Sequence, residues 1–150
     1  MKFEQQITVP ASIEVVRAFF NDVPAVAECV PGVEGLTTVE PDVYDGRVRL
    51  RVGPLAFSIA GRARVDRSED GVFRLQGEGR DPRIGAGVSA ALEARLREAA
   101  PDATEVDVTA ELQFSGRLGE LGQPLIRHKA DAMLEEFTVN MQQAIALRTH

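Results

Sequence analysis

Strict alternation of apolar and polar side chains through the middle of the chain constrains the fold more than any other feature. In "YDGRVRLRVG", Tyr44 to Gly53, Arg47, Arg49 and Arg51 alternate with Val48, Leu50 and Val52. A period of two belongs to a strand with one wet face and one dry face. The same period runs through "LAFSIAGRARV", with Phe57, Ile59, Gly61, Ala63 and Val65 on one side. It continues in "VFRLQGEG", where Phe73, Leu75, Gly77 and Gly79 oppose Arg74, Gln76 and Glu78. "EVDVTAELQF" repeats it through Val106, Val108, Ala110, Leu112 and Phe114. Strands in this succession predict an antiparallel sheet whose dry face needs cover.

"GVSAALEARLREAA" fits two periods, because Val88, Leu92 and Leu96 satisfy both a helical i, i+4 face and a strand face, while Ala, Leu, Glu and Arg favour helix locally. Gly85 and Gly87 before it, and the hairpin-like "APDATE" after it, favour a strand. Earlier in the chain, Phe3 to Val9 reads as a strand stopped by Pro10. In "ASIEVVRAFF", Ile13, Val16, Phe19 and Phe20 share a helical face, and Asn21 and Asp22 close that helix. "VPAVAEC" predicts a second short helix ended by Pro31-Gly32. From Gly119 to about Leu147, Ile126, Ala130, Met133, Phe137, Met141 and Ala144 recur at helical steps, opposite Arg127, Asp131, Glu135 and Gln142. One long amphipathic helix laid across the dry face, with two short helices plugging one end, satisfies both patterns.

The length of 150 residues suits one domain, 1–150, and no repeat or linker divides it. A formal net charge of -6 with no block of Lys and Arg excludes a nonspecific grip on nucleic acid or anionic lipid. The single cysteine cannot form an internal disulfide, so a cytoplasmic location is expected. Glu4, Gln5 and Gln6 interrupt the apolar residues of the N-terminus, which does not read as a signal peptide. No stretch reaches the roughly 20 apolar residues of a membrane span. The chain is expected neither to cross a membrane nor to be exported.

Small residues crowd the predicted inner face: Gly61, Ala63, Gly77, Gly79, Ala86 and Ala110 are interleaved with Phe57, Ile59, Leu75 and Leu112. Either they let the sheet curl around a solid core, or they leave an apolar cavity.

Groups for chemistry are scarce. Cys29, in "ECVPG", falls at a helix C-terminus, where the dipole disfavours thiolate, and no His stands at ligand spacing, so a small buried apolar role is expected. His128 lies on the polar side of the long helix and His150 is the last residue, which excludes a paired catalytic role. Glu78, Glu93, Asp107 and Glu111 alternate outward, as do Ser58, Ser89, Thr109 and Gln113. An acid/base enzyme needs a polar group converging on its cavity. "GEGRDPRIGAG" has no helix behind it and makes no phosphate cradle. No catalytic residue, metal or cofactor is expected. Arg47, Arg49, Arg51, Arg62, Arg64 and Arg74 point outward, as a solvated face or as a docking patch for an acidic partner.

A strand, two short helices, "CVPGVEGL", "VRLRVGPLAFSIAGRARV", "LQGEG" and then "GRLGELGQPLI" opening a long helix follow one another in the chain. Their order and wording resemble the carbon monoxide dehydrogenase CoxG family, a branch of the START-like or SRPBCC helix-grip superfamily. The resemblance covers nearly the whole chain, and its most specific pieces are Cys29 to Gly32, Val52 to Pro54 and Gly116 to Ile126. It implies an α+β helix-grip fold, with a curved antiparallel sheet of six to seven strands wrapped around the C-terminal helix and an apolar tunnel between them. Such proteins accompany molybdenum hydroxylases and are thought to tether them to the membrane or to carry a quinone-like lipid. Many carry a membrane-suited tail; this chain stops at "ALRTH", so at most peripheral contact with the inner face of a membrane is expected.

The expected lining is Leu50, Phe57, Ile59, Leu75, Leu112 and Phe114 from the sheet, Val30 and Val33 at the rim, and Leu125, Met133 and Phe137 from the helix. The expected partners are a prenylated quinone or other lipid and the subunits of a molybdenum hydroxylase. The alternatives are a cyclase or hydrolase acting on an apolar polyketide-like substrate, or a docking subunit with a solid core and no ligand.

Overall fold

The alternating segments fold as the strands of one sheet in the computed structural model, which describes residues 1–149. The strands are β1 (Lys2–Val9), β2 (Val33–Glu40), β3 (Val43–Val52), β4 (Leu55–Asp66), β5 (Val72–Asp81), β6 (Ala86–Ala100) and β7 (Ala103–Ser115). The helices are α1 (Ile13–Asn21) and α2 (Val23–Cys29), between β1 and β2, then α3 (Gly116–Gly119) and α4 (Gln123–Arg148). The sheet is antiparallel in the order β1-β7-β6-β5-β4-β3-β2, so that β2 to β7 form a meander and β1 closes against its last strand. This is the expected α+β helix-grip architecture with seven strands.

The two-way segment is strand β6, paired with β5 along one edge and with β7 along the other. Hydrogen bonding on both sides outweighs a helix propensity of at most a few tenths of a kcal/mol per residue. The turn at Pro101 and Asp102 makes the expected hairpin between Ala100 and Ala103.

The C-terminal helix differs from the reading that started it at Gly119. Gly116–Gly119 form a separate turn that buries Leu118, and the long helix starts after Gly122, whose φ of 88° no helix can run through. Pro124 then sits in the first turn, where its missing N–H is harmless.

The short helices are set by their caps. Ser12 Oγ accepts from Val15 N–H at 3.4 Å, and Asp22 Oδ1 accepts from Ala25 N–H at 3.3 Å. Asp22 also donates its N–H to Phe19 O, ending one helix where the next begins. Val16, Phe19 and Phe20 of α1 are buried.

α4 is tied to the β1 margin of the sheet and, on the other side, to α2 and the β3–β4 turn. On the β1 side, Arg127 donates to Lys2 O at 3.1 Å and covers the Phe3 ring, and Gln142 donates to Thr8 O at 3.1 Å. On the other side, Asn140 donates to Cys29 O at 3.1 Å, just ahead of β2, and Leu125 lies so close to Gly53 that a Cβ there would be 3.0 Å from Leu125 Cδ2. The middle strands therefore arch between two lines of attachment to one helix.

Candidate functional site

The buried side chains under this arch gather into two clusters, and those between the clusters are half-buried. At one end Ile7, Val9, Val16, Phe19, Cys29, Val106, Met141 and Ile145 form a fully buried cluster. At the other, Val52, Phe57, Ile59, Ala86 and Leu118 form a second cluster. Along α4 the same division holds: Ile126, Met141 and Ile145 are buried, whereas Met133, Leu134, Phe137 and Thr138 between them are half-buried.

The strand register explains the middle. Tyr44, Ala63, Gly77, Ala90 and Leu112 are cross-strand neighbours on the inner face, and the next row is Gly46, Gly61, Gly79, Val88 and Phe114. Rows on one face repeat about every 7 Å along a strand, so two rows of mostly Gly and Ala leave a strip with little side-chain volume. Gly61 and Gly79 also serve curvature: a Cβ at Gly61 would meet Glu78 O at 2.1 Å, and one at Gly79 would meet Ile59 Cγ2 at 2.7 Å. Gly46 is different, with Leu36 Cδ1 at 3.4 Å as the nearest atom to its Cβ position. Close approach of the neighbouring strand thus accounts for Gly61 and Gly79, and a leucine side chain borders Gly46.

The predicted lining divides three ways. Phe57 and Ile59 are buried within the second cluster, and Leu50, Phe114 and Leu125 pack against it. Phe137 packs against the first cluster. Leu75, Leu112, Met133, Val30 and Val33 are half-buried and belong to neither. Leu75 and Leu112 stand with Leu92 and Ala63 in the inner register of the middle strands.

Polar groups on this face escaped the sequence reading. Tyr44 is half-buried and lies in the inner register with Val48 and Leu50; the alternation that assigned those two also assigns Tyr44. Gln5 shares the inner register of Phe3 and Ile7, and its Nε2 reaches Thr138 Oγ1 of α4 at 3.5 Å. Thr104 is buried and donates to Ala11 O at 2.9 Å.

One carboxylate is also buried, contrary to the expectation that the inner register has none. Asp81, 1% exposed, extends β5 two residues beyond the predicted strand. Its oxygens accept from Arg83 Nη2 at 2.8 Å, Ser58 N–H at 2.8 Å and Arg83 N–H at 3.2 Å. The Arg83 guanidinium first, and the Ser58 N–H second, hold this carboxyl down to about 2. An ionised group so engaged ends a strand pairing and has no free lone pair directed at a substrate.

Cys29 is buried at the end of α2, with its Sγ 3.5 Å from Ala25 O. Burial, and secondarily the Glu28 charge, push its thiol up, so it is protonated and inert at neutral pH. His128 is exposed on α4, and His150 lies outside the described residues. Among the described residues no three His, Cys, Asp or Glu side chains group as metal ligands. No helix among them is long and apolar enough to cross a membrane.

A curved sheet gripping a terminal helix over a small-residue strip is the architecture of the START-like class, and solved structures agree. A conserved protein from Geobacillus kaustophilus superposes with a TM-score of 0.87 at 18% identity, over 97% of this chain and 95% of that one. A START superfamily protein from Mycobacterium smegmatis gives 0.75 at 13% identity, over 97% of each chain. The Zhui aromatase/cyclase from Streptomyces sp. R1128 gives 0.63 at 19%, over 97% and 90%. At these identities the likeness is one of fold alone. No curated protein matches the sequence. The profile of the carbon monoxide dehydrogenase CoxG family matches residues 6–146, and the chain belongs to that family.

Proposed function

We propose that the chain is a non-catalytic accessory protein that binds an apolar ligand between α4 and the inner face of the sheet, in the service of a carbon monoxide dehydrogenase-type molybdenum hydroxylase. The observation that carries this reading is the row of small inner-face residues Ala63, Gly77 and Ala90, flanked by two packed clusters, together with the half-buried middle of α4. Family membership supports the accessory role.

The ligand class we favour is a prenylated quinone or similar lipid. Burying a five-carbon isoprene unit contributes roughly 3 to 4 kcal/mol, against an association cost of about 4 to 15 kcal/mol. Several units are therefore needed for tight binding, and a bare ring binds poorly. A chain of that size enters by parting α4 from the sheet along its middle, while Ile126 at one end and Met141 and Ile145 at the other keep the helix attached. Leu75, Leu112 and Met133 would touch the chain, and Val30 and Val33 would form the rim. Tyr44 offers the hydroxyl best placed for a polar head. Location in the cytoplasm, with at most peripheral contact at the membrane, fits a carrier between enzyme and bilayer.

An enzymatic reading has less support. Tyr44 and Gln5 stand on strands separated by four others in the sheet, and the buried carboxylate is fully engaged by Arg83 and Ser58. Native mass spectrometry of the purified chain, followed by organic extraction, tests the proposal. A near-stoichiometric prenylated quinone or lipid in the extract is the expected result. An apo mass that stays unchanged after incubation with long-chain menaquinone analogues contradicts it.

A further inference from the structure

Most arginines on the outer face of the sheet are paired with carboxylates; Arg64 of β4, opposite Gln76, is one without a carboxylate partner among the described residues. Arg62 is paired with Asp45, Arg74 with Glu69 and Glu93, Arg95 with Glu93, and Arg97 with Glu105. Pairs across strands, along one strand and with a turn residue, these are the ion pairs of an ordinary wet face. Near the β3–β4 hairpin the balance changes. Arg47, Arg49 and Arg51 stand in a line on β3, Arg80 stands on β5, and Arg83 follows it. Only Arg49, with Glu34, and Arg83, with Asp81, have carboxylate partners. Arg47 donates to Ser58 Oγ at 2.7 Å, and among the described residues no carboxylate lies within salt-bridge distance of Arg47, Arg51 or Arg80.

Between the two rows of arginines, β4 presents only Ala56, Ser58 and Ala60, paired respectively with Arg51, Arg49 and Arg47. Small residues between long ones make a trough, and a depression of about 590 Å³ lies there, lined by Arg47, Arg49, Arg51 and Arg83 over Ala56 and Ser58, with Leu50 and Phe57 also bordering it. Four guanidiniums line it against two carboxylates, and Arg80, across Ala60 from Arg47, stands at its margin, which gives it a positive field on a chain whose net charge is -6.

We propose that this trough docks an extended, carboxylate-rich segment of a partner protein. Arg47, Arg49 and Arg51 are spaced by two residues along one strand, about 7 Å apart, which is the spacing of side chains on one face of an extended peptide. Glutamate or aspartate at every second position of such a peptide meets them in register, and guanidinium pairs with carboxylate in bidentate geometry. The trough spans two strand intervals, roughly 10 Å, the width of a single chain. An added β-strand is not the mode, because Ser58 N–H is already taken by Asp81. A lipid surface fits less well: the exposed large apolar residues Val39, Val139 and Leu147 lie outside the trough, and of the apolar residues that border it Leu50 is half-buried and Phe57 buried, so neither stands out to insert into a bilayer.

The test uses the full chain and a labelled synthetic peptide with glutamate at every second position, read by fluorescence anisotropy, beside phosphatidylserine vesicles. Binding to the peptide is expected, weakening about tenfold as salt rises from about 20 to about 200 mM. Arg51→Glu with Arg80→Glu is expected to lose about tenfold or more, and Arg51→Gln with Arg80→Gln to lose less in the same direction. Lys2→Glu with Arg97→Glu alters the net charge by as much as the first pair, outside the trough, and is expected to leave affinity within about twofold. An equal loss from the Lys2 and Arg97 pair, no binding to the peptide, or binding to the vesicles alone overturns the proposal.

Discussion

A methyl group added at Gly61 would lie 2.1 Å from Glu78 O, in the backbone of the neighbouring strand, while the same group at Gly46 would first meet Leu36 Cδ1 at 3.4 Å. Backbone cannot yield without breaking the pairing of β4 with β5; the end of a leucine side chain can. Gly61→Ala is therefore expected to destabilise the fold by about 1–3 kcal/mol, as overpacking does, and Gly46→Ala to change stability by about 0.5 kcal/mol or less. Urea unfolding of the two variants measures the difference, and equal effects would remove Gly61 from the list of residues that set the curvature. Inward glycines were visible in the sequence; which of them bends the sheet was not, because that depends on how closely the next strand approaches. Tyr44 was overlooked for a different reason. It opens an alternating run whose arginines draw attention to the outward register, although the same period carries it inward with Leu50. Asp81 was invisible as a buried group because its partner, the Ser58 N–H, comes from a strand 23 residues earlier.

At the scale of elements, α4 is buried at two places and half-buried between them. Ile126, Met141 and Ile145 are buried and the bonds from Arg127, Asn140 and Gln142 tie the same two regions to the sheet and to α2. Residues 129–138 contribute only half-buried side chains to the interior. Amide exchange should follow this division: residues 138–146 are expected to exchange most slowly, and residues 129–136 faster, although they lie nearer the helix centre. Uniform protection along the helix would mean that its middle is packed as firmly as its attachments, and the proposed parting from the sheet would fail. The helix itself was legible from its apolar period. Its true start was not, since Gly119 to Gly122 continue the pattern numerically while the left-handed Gly122 interrupts the backbone. Strand β6 was legible only through its neighbours, because its composition favours helix and its pairing on both edges decides otherwise.

For the whole molecule, a single sheet closes on a single helix; of the residues expected to line a tunnel, six lie in or against two buried clusters and the other five are half-buried outside them. Alternation revealed which faces point inward, and that was enough for the architecture. How the inward volume is shared between core and ligand space depends on the curvature of the sheet, which no local period records. The most direct test is the affinity of the chain for menaquinone analogues that share a ring and differ in the number of isoprene units, measured beside an Ala63→Phe variant that fills the strip. The bare ring is expected to bind weakly and each of the first added units to strengthen binding by tenfold or more, a conservative share of roughly 3 to 4 kcal/mol per buried unit. Ala63→Phe is expected to abolish the gain while the protein stays folded. Equal affinity across the series, or a gain that survives Ala63→Phe, would contradict a ligand site between α4 and the sheet.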